Sequence, residues 1–421
     1  MKTSKRVVIV GGGVIGLCTA YFCARAGHAV TVVERSAPPR GGCSFGNAGL
    51  IVPSHFVPLA APGMVALGLR WLWNPESPFF VQPRLNLGLL SWGYRFWRAS
   101  TPERVRCATP VLRDLHLESR ALYEELQSLP VGEFGLTRRG LLMLCQTPHG
   151  LEEEGAAAAQ AEALGIPVQV LDARGAANLD PEVTMQVTGA VYYPGDCHLE
   201  PGRFMAALEA EAGRLGVQFL WGTGGISGPR TANGRVVALR LADGSEVEAD
   251  ECVIAGGSWS EALARGFDLR IPMQAGKGYS LTLPHPRQMP SRSSILTEAR
   301  VAVTPMGGAV RFGGTMEIGG LDERINRARI RGIVRAATTY FPEFLPGDFE
   351  DLTPWCGLRP CSPDGLPYLG RTARWPNVVI ATGHAMIGMS LAPVTGRIVS
   401  SLITGAPPGH DLSLLNPDRY A

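Results

Sequence analysis

The run Val7-Val8-Ile9-Val10, followed at once by Gly11-Gly12-Gly13-Val14-Ile15-Gly16, constrains this chain more than any other feature. Four β-branched residues in a row mark a strand buried on both faces of a parallel sheet, and Gly-x-Gly-x-x-Gly directly after it opens a helix. Val14 to Ala26 predicts that helix, apolar nearly all round and stopped by Gly27; Ala29 to Val33 predicts the next strand, ending at Glu34. Each residue has a physical task in a dinucleotide-binding unit. Gly11 makes the turn, Gly13 admits a pyrophosphate to the backbone, and Gly16 lets helix and strand pack closely. The phosphates sit at the helix N-terminus around Val14 and Ile15, where free N–H groups and the helix dipole favour negative charge. Glu34 is placed to accept hydrogen bonds from the ribose hydroxyls of an adenosine. Its carboxylate repels a 2′-phosphate, so Arg35 reads as a solvated or adenine-side residue and NADP is disfavoured. FAD and NAD both stay open at this point.

Composition narrows the class. With 421 residues, 45% of them hydrophobic and 18% charged, the chain can bury a large core, which excludes disorder and suggests two to three domains. A net charge of +2 leaves no basic footprint for nucleic acid. The nine cysteines are scattered without a Cys-x-x-Cys pair, so neither a disulfide framework nor a metal site is expected. Lys and Arg ahead of Val7 imitate a signal peptide, but the apolar run breaks at Gly11; no stretch of about 18 uninterrupted apolar residues follows, and a cytoplasmic location is the expectation.

The segment after the second strand decides between the cofactors. Ser44-Phe45-Gly46-Asn47-Ala48-Gly49 is polar and Gly-rich where a plain NAD domain continues into regular helix. It resembles the Ser-x-x-Asn-Ala-Gly segment of the D-amino-acid dehydrogenase and D-amino-acid oxidase superfamily of flavoenzymes. That resemblance implies FAD, with Ser44 and Asn47 on its phosphates and ribityl chain, and Ala48, Gly49, Leu50 and on to Val52 beside the isoalloxazine. It extends over Val7 to Tyr420. Gly225 and Ala255-Gly256 are placed near the adenosine half, and Lys277-Gly-Tyr-Ser280 resembles a strand entering the catalytic domain, with Tyr279 as a candidate pocket residue. Lys277 reads as a solvated strand lysine, with a cation in the site as the alternative.

Trp355-Cys-Gly-Leu-Arg-Pro-Cys-Ser-Pro-Asp-Gly-Leu-Pro367 is so rich in Gly and Pro that a shaped loop rather than regular structure is expected. It resembles the family's Gly-x-Arg-Pro-x-x-Pro-Asp-Gly-x-Pro, which implies that Arg359 anchors an amino acid's carboxylate. A guanidinium suits that task because its planar fork makes two parallel charged hydrogen bonds. Asn377 to Ile380 predicts a strand, and the segment from Ala381 to Pro393 opens a helix through Ile403 whose N-terminus, aimed at the flavin, favours negative charge there. Gly383, His384, Gly388 and Met389 are the candidate flavin contacts. Where D-alanine-type dehydrogenases tend to carry Gly-His-Gly-x-x-Gly-Trp-Thr, this chain has Gly383-His-Ala-Met-Ile-Gly-Met-Ser390. That departure, with His55 and Met386 as candidate lining residues, raises a cyclic substrate such as D-proline or cis-4-hydroxy-D-proline.

Residues 60–99 hold four of the eight tryptophans (Trp71, Trp73, Trp92, Trp97), with Arg70, Arg84, Arg95 and Arg98 nearby. Packing inside a substrate-domain insertion explains this, and so does contact with the inner face of a membrane. The expected architecture is α/β: a discontinuous Rossmann-like FAD domain (1–58, 165–262, 352–421) interleaved with a mixed-sheet α+β substrate domain (59–164, 263–351). The function implied is hydride transfer from Cα of a D-amino or D-imino acid to flavin, with electrons passed to a quinone or respiratory chain. An oxidase using oxygen, an NAD(P) enzyme and a non-catalytic flavoprotein are the alternatives.

Overall fold

A computed structural model describes residues 4–71, 76–82, 86–130 and 132–421, apart from the side chains of residues 69–71. Its first sheet is the one the opening residues demand. Arg6–Val10 lies at the centre of six strands, paired in parallel with Ala29–Val33 on one side and Glu251–Ile254 on the other. Gln218–Leu220 extends the sheet beyond Ala29–Val33, and Val378–Thr382 extends it beyond Glu251–Ile254, both in parallel; Tyr368–Arg371 closes the far edge antiparallel. Val7 to Val10 are all buried, as a strand covered on both faces must be.

The helix Val14–Arg25 packs on Ala392–Thr404 with little between the backbones, because a Cβ on Gly396 would lie 2.6 Å from the carbonyl carbon of Cys18. The 26-residue helix Pro102–Gln127 starts on Thr101, whose hydroxyl accepts from the Arg104 amide, and sends Leu112, Leu115, Tyr123 and Leu126 into the same core.

The second sheet has nine strands in mixed orientation, ordered Trp355–Cys361, Gln274–Leu283, Ala309–Ile318, Val301–Met306, Ser293–Leu296, Leu141–Cys145, Gly189–Tyr193, Gln169–Asp172, with Phe79–Val81 paired to the end of Ala309–Ile318. The α/β fold with a discontinuous dinucleotide domain and a mixed-sheet second domain is therefore present. The sheets divide the chain at other points than the expected boundaries. Gln169–Asp172 and Gly189–Tyr193, inside the 165–262 segment, belong to the nine-stranded sheet, while Pro102–Gln127, inside 59–164, packs on the dinucleotide side.

Trp355–Cys361 corrects the expectation of a loop. It is an edge strand, where the missing N–H of Pro360 breaks no central ladder, and its antiparallel partner carries Gly276 and Gly278 opposite Arg359 and Gly357. The helix expected from Ala381 likewise starts later: a short 3-10 turn, Ala385–Ile387, precedes the α-helix Ala392–Thr404.

Of the tryptophan-rich segment, Trp73 and Arg84 lie outside the described residues. Trp92 is buried, its indole donating to the Cys361 carbonyl at 2.9 Å, with Phe96 stacked on it. The same helix, Leu87–Ala99, leaves Leu87, Leu90, Tyr94 and Trp97 exposed.

Candidate active site

Between the C-terminal ends of the parallel strands and the edge of the nine-stranded sheet lies a cavity of about 690 Å³. Its floor is backbone. Gly11 adopts φ +116°, and a Cβ there would lie 2.4 Å from the Ala255 carbonyl; a Cβ on Gly16 would lie 1.9 Å from the Gly11 carbonyl. Those two glycines serve turn and packing, as their spacing implies. Gly13 meets only the Ser44 hydroxyl, and Gly41 and Gly42 meet nothing, so this stretch presents backbone with room for a bulky anion. The Ser44 hydroxyl accepts from the Val14 amide at 3.0 Å, marking the first free N–H of the helix. Glu34 receives the Gly12 amide at 2.8 Å and the Ser36 amide at 3.0 Å, which fixes its carboxylate at the end of the second strand.

Arg35 stacks on Trp259, 3.7 Å from its ring centroid, and lines the cavity with Gly225, Ala255 and Gly256. Arg40 donates to the Gly12 carbonyl at 2.7 Å, pairs with Glu209 and covers Trp221. A long cavity with a glycine floor at a helix N-terminus, a fixed carboxylate at one end and two arginine–tryptophan stacks fits FAD.

The other end of the cavity is built by Arg359, Met386, His384, Gly388 and Met389. His384 is buried; its Nε2 is 3.0 Å from the Thr395 hydroxyl, while Nδ1 has no hydrogen-bond partner. Burial pushes its pKa down to about 3, so the ring is neutral. Arg359 donates from Nη1 to the Thr315 carbonyl at 2.7 Å and forms no ion pair among the described residues. A guanidinium on a cavity wall without an ion-pair partner has the chemistry to receive a carboxylate. Cys43 lies beside it; burial raises its thiol pKa and the Arg359 charge works against that rise.

The structure thus brings Gly11, Gly13, Val14, Ile15, Glu34, Arg35, Ser44, Asn47, Gly225, Ala255, Gly256, His384, Gly388 and Met389 into the lining of one cavity with Arg359 and Met386. Asn47 spends its side chain on its own loop, donating to the Cys43 and Ser44 carbonyls and accepting from the Gly49 amide. Ala48, Gly49, Leu50 and Gly383 lie off the cavity wall. Gly49 turns against the Leu199 carbonyl, Leu50 pairs with His198, and Gly383 turns at φ +81° against Tyr368 to deliver His384.

Tyr279 does not reach the cavity either. It is buried, and its hydroxyl donates to Glu317 at 2.9 Å. Lys277, expected in solvent, is buried on the same face, with Nζ donating to the Arg324 carbonyl at 2.9 Å and lying 3.8 Å from Glu317. His55 also sits away from the wall, its Nδ1 3.0 Å from the Ser54 hydroxyl. That hydroxyl donates to the buried Asp196, while the neighbouring His116 bonds Ser390. Burial pushes His55 down to about 4 and His116 to about 3, and pushes Asp196 up to about 7.

Two residues that the sequence did not single out hold the cofactor loop from the second sheet. Arg311 donates to the Asn47 carbonyl at 2.9 Å and, at 3.4 Å, to that of Phe45; the Ser280 hydroxyl donates to the Gly46 carbonyl at 2.8 Å.

Residues 6–402 match the model of the FAD dependent oxidoreductase family known as DAO, and the chain belongs to this family. FAD is its cofactor and oxidoreduction its chemistry. Among curated proteins it is similar to a D-amino acid dehydrogenase of Methylobacterium radiotolerans, 35% identical over 99% of both chains. One from Bradyrhizobium diazoefficiens is 33% identical, again over 99% of both. Of solved structures, glycine oxidase from Geobacillus kaustophilus shares the fold, with a TM-score of 0.78 at 24% identity over 99% of this chain and all of the other.

Proposed function

We propose that the protein is an FAD-dependent dehydrogenase of D-amino acids, D-amino acid dehydrogenases being the relatives it resembles over its full length. The observation that carries the substrate class is Arg359, a guanidinium on the wall of the cofactor cavity without an ion pair among the described residues. It takes the substrate carboxylate, which fixes the Cα–H bond in one orientation. When bound, FAD supplies the acceptor for the hydride leaving Cα, so that the amine becomes an imine that water hydrolyses when it is acyclic. His384, neutral through burial, lines that end of the cavity without adding charge. Ala385 and Met389, in place of the glycine and tryptophan of the D-alanine-type motif, with Met386 between them, favour a ring such as that of D-proline or cis-4-hydroxy-D-proline.

The test is anaerobic titration of the yellow holoenzyme with D-alanine, D-proline, cis-4-hydroxy-D-proline and their L-enantiomers, following loss of flavin colour. Bleaching by a D-compound and not its enantiomer is expected. Replacing Arg359 by Met is expected to lower kcat/KM by about 30-fold or more, the loss of a desolvated charge pair of about 2 kcal/mol or more. A variant within threefold of wild type refutes the carboxylate assignment.

A membrane-borne electron acceptor is the second part of the reading, supported by the stripe Leu87, Leu90, Tyr94 and Trp97, spaced on one face of a helix that also carries Arg95 and Arg98. Co-sedimentation with vesicles containing anionic lipid is expected, and is expected to fall when Leu90 and Trp97 are both replaced by Ser. Equal sedimentation of the variant removes this surface from consideration.

A further inference from the structure

The strand Ala309–Ile318 carries a β-bulge at the point where its backbone meets Arg359. Tyr279 faces Gly314 and Lys277 faces Glu317, so the single residue Gly278 stands opposite two, Thr315 and Met316. At the same point the strand exchanges one neighbour for another: Gly314 still pairs with Val301, whereas Met316 pairs with Phe79 and its amide donates to the Pro78 carbonyl at 2.7 Å. Thr315 sits in the left-handed region with φ +63°. A β-branched residue rarely adopts that conformation, because its Cβ substituents crowd the backbone. The side chain gains no compensating bond, since its buried hydroxyl has no hydrogen-bond partner. What the conformation does achieve is the direction of the Thr315 carbonyl, which accepts from Arg359 Nη1 at 2.7 Å.

The opposite residue completes the seat. Gly278 has no need of a glycine conformation, yet a Cβ there would lie 2.2 Å from both terminal nitrogens of Arg359 and 2.3 Å from its central carbon. The guanidinium therefore lies flat on the Gly278 backbone. With no ion pair to orient it among the described residues, Arg359 rests on this surface and this carbonyl.

We propose that Thr315 and Gly278 are positioning residues for substrate binding: the bulge aims a backbone carbonyl at Arg359, and the missing side chain at 278 gives its plane a bed, so that the rest of the fork faces the carboxylate of the substrate. The inference rests on the reading of Arg359 as the carboxylate anchor. It goes further by locating the determinant of that arginine's orientation in the neighbouring strands. Bidentate recognition depends on such orientation, since a rotated fork offers one hydrogen bond instead of two.

The holoenzyme, with Gly278→Ala, Thr315→Pro and Thr315→Gly variants, is titrated with propionate as a bare carboxylate probe, following the change in the flavin absorption spectrum. KM and kcat are measured with the D-compound that bleaches the flavin most readily, and bound FAD and Tm are recorded. Gly278→Ala displaces only the far end of a flexible side chain; Thr315→Pro, with φ fixed at about −65°, cannot hold the conformation that aims the carbonyl, whereas Thr315→Gly keeps a positive φ without strain. The expected result is a tenfold or greater weakening of propionate binding and rise in KM for Gly278→Ala, at least threefold for Thr315→Pro, and wild-type binding for Thr315→Gly, with kcat within threefold of wild type. In an Arg359→Met background none of these substitutions is expected to add further loss, which a general disturbance of the sheet would do. Thr315→Pro with wild-type propionate binding and KM, or Thr315→Gly with weakened binding, overturns the role of the bulge, and wild-type binding for Gly278→Ala overturns the seat. If Gly278→Ala loses FAD, the pair of Thr315 variants decides the proposal. A wild-type enzyme that responds to neither propionate nor any amino acid overturns the carboxylate reading of Arg359 itself, and the proposal with it.

Discussion

Arg311 offers the sharpest check on how this protein holds its cofactor. Its guanidinium is buried, which lowers its pKa, and reaches from the nine-stranded sheet to the loop that follows the second parallel strand. Nε donates to the Thr282 hydroxyl at 3.0 Å within the sheet, and Nη1 donates to the Asn47 and Phe45 carbonyls across the gap. Replacing Arg311 by Met keeps the aliphatic stem and deletes the bonds to the loop. A hydrogen bond from a charged donor contributes about 1.5–3 kcal/mol. The 2.9 Å bond counts fully and the 3.4 Å bond at its weak end, so the loop loses about 2–4 kcal/mol of its order. If that order exists to present Ser44 and the glycines to FAD, the dissociation constant rises by about 30-fold to 1,000-fold, because each factor of ten is about 1.4 kcal/mol. The assay is fluorescence titration of apoprotein with FAD, paired with thermal unfolding of the FAD-free protein. A variant whose FAD affinity stays within twofold of wild type while its Tm falls would refute the argument, and would make Arg311 a sheet residue only.

Two further perturbations follow from the same geometry. Gly16→Ala places a Cβ 1.9 Å from the Gly11 carbonyl, with only backbone to give way, so the purified protein is expected to be colourless or insoluble; a yellow, soluble variant contradicts the close packing of strand and helix. Asp196, raised to about 7 by burial, binds its proton more tightly folded than unfolded. Its contribution to stability is therefore complete below about pH 4 and is lost as pH rises through 7. Asp196→Asn is expected to unfold at a higher temperature than wild type at pH 8, with the advantage shrinking toward pH 4. A pH-independent difference in Tm rules out the ionisation as its source.

The part of the site written in consecutive residues was readable from the chain. The first fifty residues place turn, close approach and acid by spacing alone, at Gly11, Gly13 and Glu34, whereas Ser44 comes only from the family resemblance. Residues whose surroundings depend on a distant strand were not readable in the same way. Gly and Pro made Trp355–Cys361 look irregular, but the segment becomes a strand because Gly276 and Gly278, some eighty residues earlier, leave room for it. Tyr279 turned away from the cavity because strand parity, set by pairing, puts it on the Glu317 face. Arg311 gave no local sign, since a lone arginine in a strand looks the same whether it meets water or a loop 260 residues upstream.

Among the described residues the strand carrying Arg359 pairs with one strand, Gln274–Leu283, and its other side is held at single points: the Ser258 hydroxyl donates to the Leu358 carbonyl at 2.8 Å, and a lone bridge joins Cys361 to His384. In evolutionary terms, the border that carries Arg359 is thus joined to the parallel sheet by points and not by a ladder. Side-chain exchanges along Trp355–Cys361 that spare those points leave the pairing of the parallel sheet under the cofactor as it is. A lineage can thus try new substrates by altering one border while inheriting its cofactor chemistry intact. The same border gives a designer wishing to change selectivity in this chain a place to work.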